Sequence, residues 1–95
     1  MDIIEFLRSI MGRTATEKVT KTTGVITSVS FDLYGCVQAV LSQPVGEDGK
    51  TPPSNWWDVT RLGIHDGDAV MPCPDFILGP LDEMPDKGPE NKPMP

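Results

Sequence analysis

Two short runs of β-branched and apolar residues, joined by a turn that ends in glycine, constrain the fold of this chain more than any other feature. Period two places Val25, Thr27 and Val29 on one face of residues 25–30. It likewise places Val37, Ala39 and Leu41 on one face of residues 36–41, as in a strand with one buried face. Residues 31–35 join the two runs, and Gly35 is free to adopt a positive φ. Strands this close in sequence pair antiparallel, so the chain is predicted to fold around a β-hairpin.

A short amphipathic helix is predicted before the hairpin, over residues 2–11. Apolar side chains recur there at helical spacing, with Asp2 as the N-cap and Gly12 as the stop. Three turns are marginally stable alone in water, so the apolar face must dock. We expect it to cover an open end of its own domain; docking on a partner or on a second copy is the alternative.

A third strand is predicted over residues 55–59, after a solvent-exposed loop that contains Asp-Gly and Pro-Pro. Period two places Trp57 on the opposite face from Trp56, so one tryptophan is expected to be buried and its neighbour mostly exposed. Residues 60–64 are compatible with a last short strand or with one helical turn.

Short strands and glycines at the bends predict a mainly β fold, a small SH3-like antiparallel barrel. A small open antiparallel sheet packed by the helix is the alternative. The predicted divisions are residues 1–13 for the helix, 14–78 for the barrel and 79–95 for an acidic, proline-rich tail. Seven of the ten prolines fall within residues 72–95, a composition that does not form a packed helix or sheet.

Several short motifs resemble a family of small phage and prophage proteins of uncharacterised role. They are Glu17-Lys18-Val19-Thr20, Gly24-Val25, Tyr34-Gly35-Cys36-Val37-Gln38, Asp48-Gly49-Lys50, Trp56-Trp57-Asp58 and Arg61-Leu62. The resemblance spans residues 17–62 and implies a viral setting and a small barrel, without an activity. That family often has glycine after the Val-Thr pair, where this chain has Lys21. The opening strands also resemble KOW-type SH3-like barrels of ribosome- and polymerase-associated proteins, which implies a nucleic-acid or transcription-associated module as an alternative.

The distribution of charge argues against direct nucleic-acid binding. The formal net charge is −6, and residues 1–41 contain four basic and four acidic side chains, so all the excess is in the second half. Phosphate backbones are bound mainly by clustered Lys and Arg. The apolar run of residues 3–11 is too short and too charged for a membrane span or a signal sequence. We therefore expect a soluble protein of the host cytoplasm, or one carried into a virion, without a membrane partner.

The residues that could carry catalysis are few. His65 is the single histidine, and the two cysteines, Cys36 and Cys73, lack the short spacings that pre-organise zinc ligands. The pattern of residues 36–41 predicts Cys36 as an ordinary buried strand thiol, and Cys73 lies between two prolines. Asp66-Gly67-Asp68 lacks the closing glutamate of a calcium loop. We predict no enzymatic activity, no cofactor and no metal.

Aromatic and basic side chains instead suggest binding. Trp56 or Trp57, with Tyr34 at the hairpin turn and Arg61 nearby, are residue types enriched at the energetic centres of interfaces. The alternative is that one tryptophan fills the core and the other covers the helix. The same residues, with Arg61 facing phosphate, would suit capture of a small signalling nucleotide.

The tail offers a second mode of contact. It is either solvated disordered sequence or an arm that places Leu78, Leu81 and Met84 in the grooves of a neighbouring subunit. Together these features predict a non-enzymatic, phage-type interaction module that binds a host protein or other copies of itself. It would act as a virion or assembly component or as a host antagonist.

Overall fold

The computed structural model describes residues 1–76 and 78–83. This part of the chain forms one antiparallel sheet, one short helix and two single 3₁₀ turns. The elements are α1 (Ile3–Ile10), β1 (Thr14–Glu17), β2 (Thr23–Phe31), β3 (Val37–Ser42), β4 (Trp56–Asp58), a 3₁₀ turn (Val59–Arg61), β5 (Leu62–Ile64) and a second 3₁₀ turn (Leu81–Glu83).

Helix α1 begins and ends as its sequence predicts. The Asp2 carboxylate accepts a hydrogen bond from the backbone N–H of Glu5 at 2.8 Å, and Gly12, just after the helix, has a φ of +83°. Ile10 is buried in the core, and Phe6 and Met11 pack against it. The helix therefore docks on its own domain, as expected.

The strands are ordered β4-β3-β2-β1-β5 in the sheet, so β4 and β5 form its two edges. These edge strands are consecutive in the chain, since only Val59–Arg61 separates them. Four residue steps span at most roughly 14 Å, whereas a flat sheet of this size is about 19 Å wide between its edge strands. The sheet must therefore curl until its edges approach each other.

Closure of this sheet into a barrel, which the sequence analysis predicts, is not confirmed. No pairing joins β4 to β5 within the described residues, because β4 bonds only β3 and β5 bonds only β1. The observed architecture is a mainly antiparallel five-stranded sheet with one short N-terminal helix. Both edge strands are only three residues long, which limits how many ladder hydrogen bonds a closure could contain.

The central hairpin is present, with one irregularity that the period-two prediction misses. Ile26 pairs with Leu41 and both are buried, but the next partners are Ser28 and Val40, so Thr27 is an extra residue in β2. A bulge of this kind reverses the alternation. Ile26 and Val29, three apart, therefore both pack in the core, instead of Val25, Thr27 and Val29 sharing one face.

The turn between β1 and β2 contains a non-glycine residue at a positive φ. The backbone N–H of Lys21 donates to the Glu17 carbonyl at 2.9 Å, and Lys21 has a φ of +65°. Glycine adopts this left-handed conformation without steric cost, whereas a residue with a Cβ does not. The turn therefore carries backbone strain at Lys21.

Candidate functional site

The four residues predicted to bind, Tyr34, Trp56, Trp57 and Arg61, do not form one site. Trp57 packs partly buried against the core, and the Arg61 guanidinium lies 5.2 Å from the centre of its ring. Trp56 pairs with Val40, is 46% exposed, and projects from the opposite face of β4. Tyr34 lies in the hairpin turn beyond the ends of β2 and β3.

The 3₁₀ turn after β4 brings Arg61 back over Trp57. The Asp58 carboxylate caps this turn by accepting hydrogen bonds from the Thr60 N–H at 2.9 Å and the Thr60 hydroxyl at 2.7 Å. These bonds, that of the hydroxyl first, lower the pKa of Asp58. The capped turn fixes where the Arg61 side chain leaves the backbone, and a cation above an indole face is stabilised by the ring quadrupole.

A buried carboxylate that the sequence analysis did not single out holds Arg61 from the other side. Glu17, at the end of β1, has no solvent-exposed surface. Its oxygens accept hydrogen bonds from the N–H groups of Val19 at 2.9 Å and Thr20 at 2.7 Å, and from the Thr20 hydroxyl at 2.8 Å. Arg61 donates to its Oε1 through Nε at 3.0 Å, and the Arg61 Nη2 lies 3.0 Å from the same oxygen as an ion pair.

These hydrogen bonds determine the protonation state of Glu17. Burial alone would raise the pKa, but the N–H groups of Thr20 and Val19, the Thr20 hydroxyl and Arg61 outweigh it and lower the pKa from 4.5 to about 2. The group is therefore a carboxylate at every physiological pH. Glu17, Arg61 and Trp57 form a clamp that joins the β1–β2 turn to the turn before β5.

One feature of the sequence points to the residues of the clamp. Glu17, Trp57 and Arg61 are all among the motifs that resemble the phage family, yet a glutamate in isolation is ordinarily a surface residue. Their meeting depends on the pairing of β1 with β5, which aligns Glu17 with Leu62. Single-sequence periodicity does not contain that long-range register.

The hairpin turn presents two large apolar side chains to solvent on a fixed backbone. The Asp32 carboxylate accepts the N–H groups of Tyr34 and Cys36, both at 2.9 Å, and Gly35 has a φ of +87°. Leu33 is 91% exposed and Tyr34 is 88% exposed. The backbone of the turn is ordered by these bonds, while its apolar side chains contact little of the protein itself.

Beside the exposed turn, the end of β2 contacts helix α1. Phe31, the last residue of β2, packs edge-to-face on Phe6 with ring centres 6.3 Å apart. Phe31 and Ile3 line a shallow groove of about 270 Å³ and are themselves exposed. We call Ile3, Phe31, Leu33 and Tyr34 the tip surface; Asp2 lines the same groove as Ile3 and Phe31, and Asp32 lies between Phe31 and Leu33 in the chain.

The residues considered for catalysis are placed apart. Cys36 is exposed and precedes β3, so the prediction of a buried strand thiol is wrong. Its backbone N–H donates to the Asp32 carboxylate, which makes Cys36 part of the turn. The negative charge of Asp32 is the main cause that raises the pKa of the Cys36 thiol, which disfavours the nucleophilic thiolate. His65 instead lies with Nε2 2.7 Å from the Thr16 hydroxyl. Within residues 1–76 and 78–83, no three His, Cys, Asp or Glu side chains converge as metal ligands would.

The predicted arm residues lie near the end of the described chain. Leu78 is exposed and lines a groove of about 420 Å³ with Ile4 and Leu7 of its own helix α1. Leu81 is exposed in the second 3₁₀ turn, and Met84 lies outside the described residues. Over the described ranges, no helix has the length and apolar character needed to cross a bilayer.

Comparison with known proteins adds no relative: no protein-family model, no curated protein and no solved structure matches this chain.

Proposed function

We propose that this protein is a non-enzymatic interaction module that binds a protein partner through the tip surface. The observation that carries the proposal is the exposure of Leu33 and Tyr34, at 91% and 88%, on a turn whose backbone is held by Asp32. A side chain presented on an ordered backbone loses less conformational freedom on binding.

The composition of the tip surface indicates the chemistry of the partner. Leucine, phenylalanine, isoleucine and tyrosine offer an apolar centre with one polar hydroxyl, and Asp2 and Asp32 add negative charge at the border. Such a surface suits an apolar patch or groove bordered by basic side chains.

The phage setting and the SH3-like arrangement belong to the same proposal. The motifs within residues 17–62 support a phage-type protein that acts in the host cytoplasm or is carried in a virion. The strand order, with a single 3₁₀ turn between the two edge strands, supports an SH3-like arrangement. Fold likeness carries no function by itself, so the choice between a virion component and a host antagonist depends on the partner.

Capture of a small signalling nucleotide is less favoured. Arg61 is the cation assigned to phosphate in that alternative, but its guanidinium is already ion-paired and hydrogen-bonded to the buried Glu17 and lies 5.2 Å from the centre of the Trp57 ring. Binding phosphate there would leave a buried carboxylate without its cation, which is costly. A KOW-like role in nucleic-acid binding is likewise disfavoured by the acidic charge of the chain.

Affinity capture with matched variants tests the proposal. The tagged full chain, a Leu33→Ser/Tyr34→Ser double variant and a Val45→Ser variant are used as bait in extracts of phage-infected or prophage-bearing cells. Val45 is an exposed apolar residue of the loop between β3 and β4, so its replacement controls for general loss of apolar surface. We expect a discrete protein with the natural chain and with Val45→Ser, and at least a tenfold reduction with the double variant, since losing central apolar contacts costs about 2 kcal/mol or more.

The unfolding midpoints of the three baits show whether folding is intact. We expect them to agree, because none of the three serines replaces a core residue. Equal capture by the double variant would contradict the proposal. Capture of nucleic acid, reversed by nuclease, would favour the KOW-like alternative.

A further inference from the structure

The outer half of β2 has a neighbouring strand on one side only. Strand β1 pairs with β2 as far as Val25. One residue further, the Ile26 N–H donates to the Arg13 carbonyl and the Ile26 carbonyl accepts from the Gly12 N–H, both at 2.9 Å. Before Gly12 the chain forms helix α1, which has no extended backbone to pair. Within the part of the chain that the structure describes, residues 28–31 therefore pair with β3 alone.

The hydrogen bonds beside the hairpin turn fix which backbone groups face the open side of β2. The Asp32 N–H donates to the Cys36 carbonyl at 3.1 Å, so Asp32 directs its amide toward the β3 side. Successive residues of a strand direct their N–H and C=O groups to opposite sides. Ser30 therefore also faces β3, whereas Val29 and Phe31 face away from it. No hydrogen bond from another segment of the described chain reaches the backbone of either residue.

The bulge in β2 agrees with this direction. Ile26 also faces away from β3, and it lies three residues before Val29. In an unbroken strand two residues three apart would face opposite sides, but the extra residue at Thr27 brings Val29 back to the side of Ile26. The bonds at both ends of β2 thus place the N–H and C=O groups of Val29 and Phe31 at an open edge.

An apolar groove of about 340 Å³ lies beside this open edge. Val29 and Phe31 line it from β2. The other walls are apolar side chains of α1 and of the segment that follows β5, namely Ile3, Ile4, Leu7, Phe76 and Leu78. Phe31 and Leu78 remain exposed to solvent, so unpaired backbone groups and uncovered apolar surface occur side by side.

Free N–H and C=O groups on alternate residues suit an added strand. A helix bonds its own backbone groups internally, whereas an extended segment offers them at the two-residue spacing of Val29 and Phe31. On such a strand, the side chains opposite these two residues share their face and enter the groove, and the residue between them points to the face of Ser30. The segment therefore has the pattern apolar, polar, apolar, without proline at the apolar positions.

Charge at one end of the groove favours a basic side chain in the segment. Asp32 directly follows Phe31, and Asp2 lines the adjoining groove with Ile3 and Phe31. A Lys or Arg next to the apolar residue that pairs with Phe31 would complement these two carboxylates.

The residues that follow Glu83 do not offer this pattern. Residues 84–95 contain four prolines, and Met84 and Met94 are their only other apolar residues. Two methionines ten positions apart cannot fill two positions that are two residues apart. The chemistry of the edge and groove thus fits a segment of another protein.

We infer that the partner of the tip surface adds an extended segment as a strand to the open edge of β2, pairing with Val29 and Phe31 and placing two apolar side chains in the groove beside α1. The inference rests on the proposed function and names how its partner docks. Phe31 belongs to the tip surface and also lines the groove, so the added strand and the tip surface form one continuous interface.

Hydrogen exchange of the full chain with a synthetic peptide tests the edge. The peptide is acetyl-Gly-Lys-Val-Thr-Val-Gly-amide, and its control carries N-methyl groups on both valines, which removes their N–H groups and keeps their side chains. In the free chain, the amides of Val29 and Phe31 should exchange at least about tenfold faster than that of Ser30, which bonds to β3. Saturating peptide should slow these two amides several-fold, and the N-methylated control should leave them unchanged.

A backbone variant tests the natural partner. Cys36 follows Gly35 and is exposed, so synthetic residues 1–35 can be ligated to residues 36–95 with N-methyl-valine at position 29. The methyl group blocks the edge and changes no side chain, and the same ligation without it is the control. Used as bait in the extracts described above, the methylated chain should capture at least about tenfold less partner, because it loses strand pairing. Unfolding midpoints compare the folding of the two chains, and the peptide titration decides if the methylated chain does not fold.

Four results would overturn the inference. Val29 and Phe31 that exchange as slowly as Ser30 in the free chain would show that the chain covers its own edge, and protection that rises with chain concentration would assign the edge to a second copy. Equal effects of the peptide and its N-methylated control, or equal capture by the two ligated chains, would also contradict strand addition. The proposed function stands in each case if capture still depends on Leu33 and Tyr34. Loss of that dependence, with the effect of N-methylation retained, would reject the tip surface alone.

Discussion

At the scale of single residues, the burial of Glu17 is the most consequential feature. A carboxylate loses hydration on burial and is tolerated only where hydrogen bonds replace it. Here two backbone N–H groups, one hydroxyl and one guanidinium converge on its oxygens. The side chain thereby joins the end of strand β1 and the turn that follows it to the turn before β5, 44 residues away in sequence.

Replacing Glu17 should weaken the fold markedly. In Glu17→Gln, the amide NH₂ meets donors in place of an acceptor oxygen, so we expect the Tm to fall by about 10 °C. The exposed Glu47 gives the matched control: Glu47→Gln should move the Tm by no more than about 3 °C. Similar Tm values for the two variants in thermal unfolding would contradict the clamp.

The same residue predicts how stability depends on pH. Its pKa is lowered from 4.5 to about 2 in the folded protein, so the unfolded chain binds the proton first as pH falls. The contribution of Glu17 is complete above about pH 4.5 and is lost as pH falls toward about 2. Urea unfolding across this window should give a steeper loss of stability for the natural chain than for Glu17→Gln, with Asp58 contributing equally to both. Parallel slopes would show that Glu17 is not charged in the folded state as described.

At the scale of elements, the local signals predict well and the register does not. Helix α1 with its Asp2 cap, the hairpin and the separation of Trp56 from Trp57 all follow from spacing within a few residues. The extra residue at Thr27 does not, because a bulge is decided by how β2 pairs with β3. Cys36 illustrates the same limit, since its side chain continues the strand pattern while its backbone belongs to the turn that Asp32 orders.

Gly12 joins two elements through a close approach of backbones. It has a φ of +83°, and a Cβ added there would overlap the carbonyl oxygen of Met71, in the segment that follows β5. Gly35 has a similar φ of +87° but open space around it. We expect Gly12→Ala to cost about 3 kcal/mol or more, and Gly35→Ala only about 1 kcal/mol, because the second carries the backbone strain without the overlap.

Chemical denaturation of the two alanine variants gives these free energies of unfolding. Hydrogen exchange gives the location: in Gly12→Ala the amide of Val70, which donates to the Gly12 carbonyl, should lose its protection first. An equal loss of unfolding free energy in the two variants would mean that the backbone of Met71 does not lie against Gly12.

At the scale of the whole molecule, the predicted mainly β fold with a short N-terminal helix is confirmed, but the predicted closure into a barrel is not. The central hairpin and the third strand follow from patterning, whereas strand β1, its pairing with β5, and so the meeting of Glu17 with Arg61, depend on residues more than 40 positions apart. The residues predicted to bind are therefore found in different parts of the molecule. Arg61 and Trp57 belong to an internal clamp, and Tyr34 belongs to an exposed surface that Ile3, Phe31 and Leu33 complete.

Site-specific photo-cross-linking from position 34 tests the central claim of a protein-binding tip surface most directly. A benzophenone amino acid replaces Tyr34 in one sample and Val45, which is also exposed but lies in a different loop, in another, and both are irradiated in phage-infected or prophage-bearing cells. The account predicts one discrete cross-linked protein from position 34, suppressed by excess natural chain and absent from position 45. No adduct from position 34, or the same adducts from both positions, would contradict it.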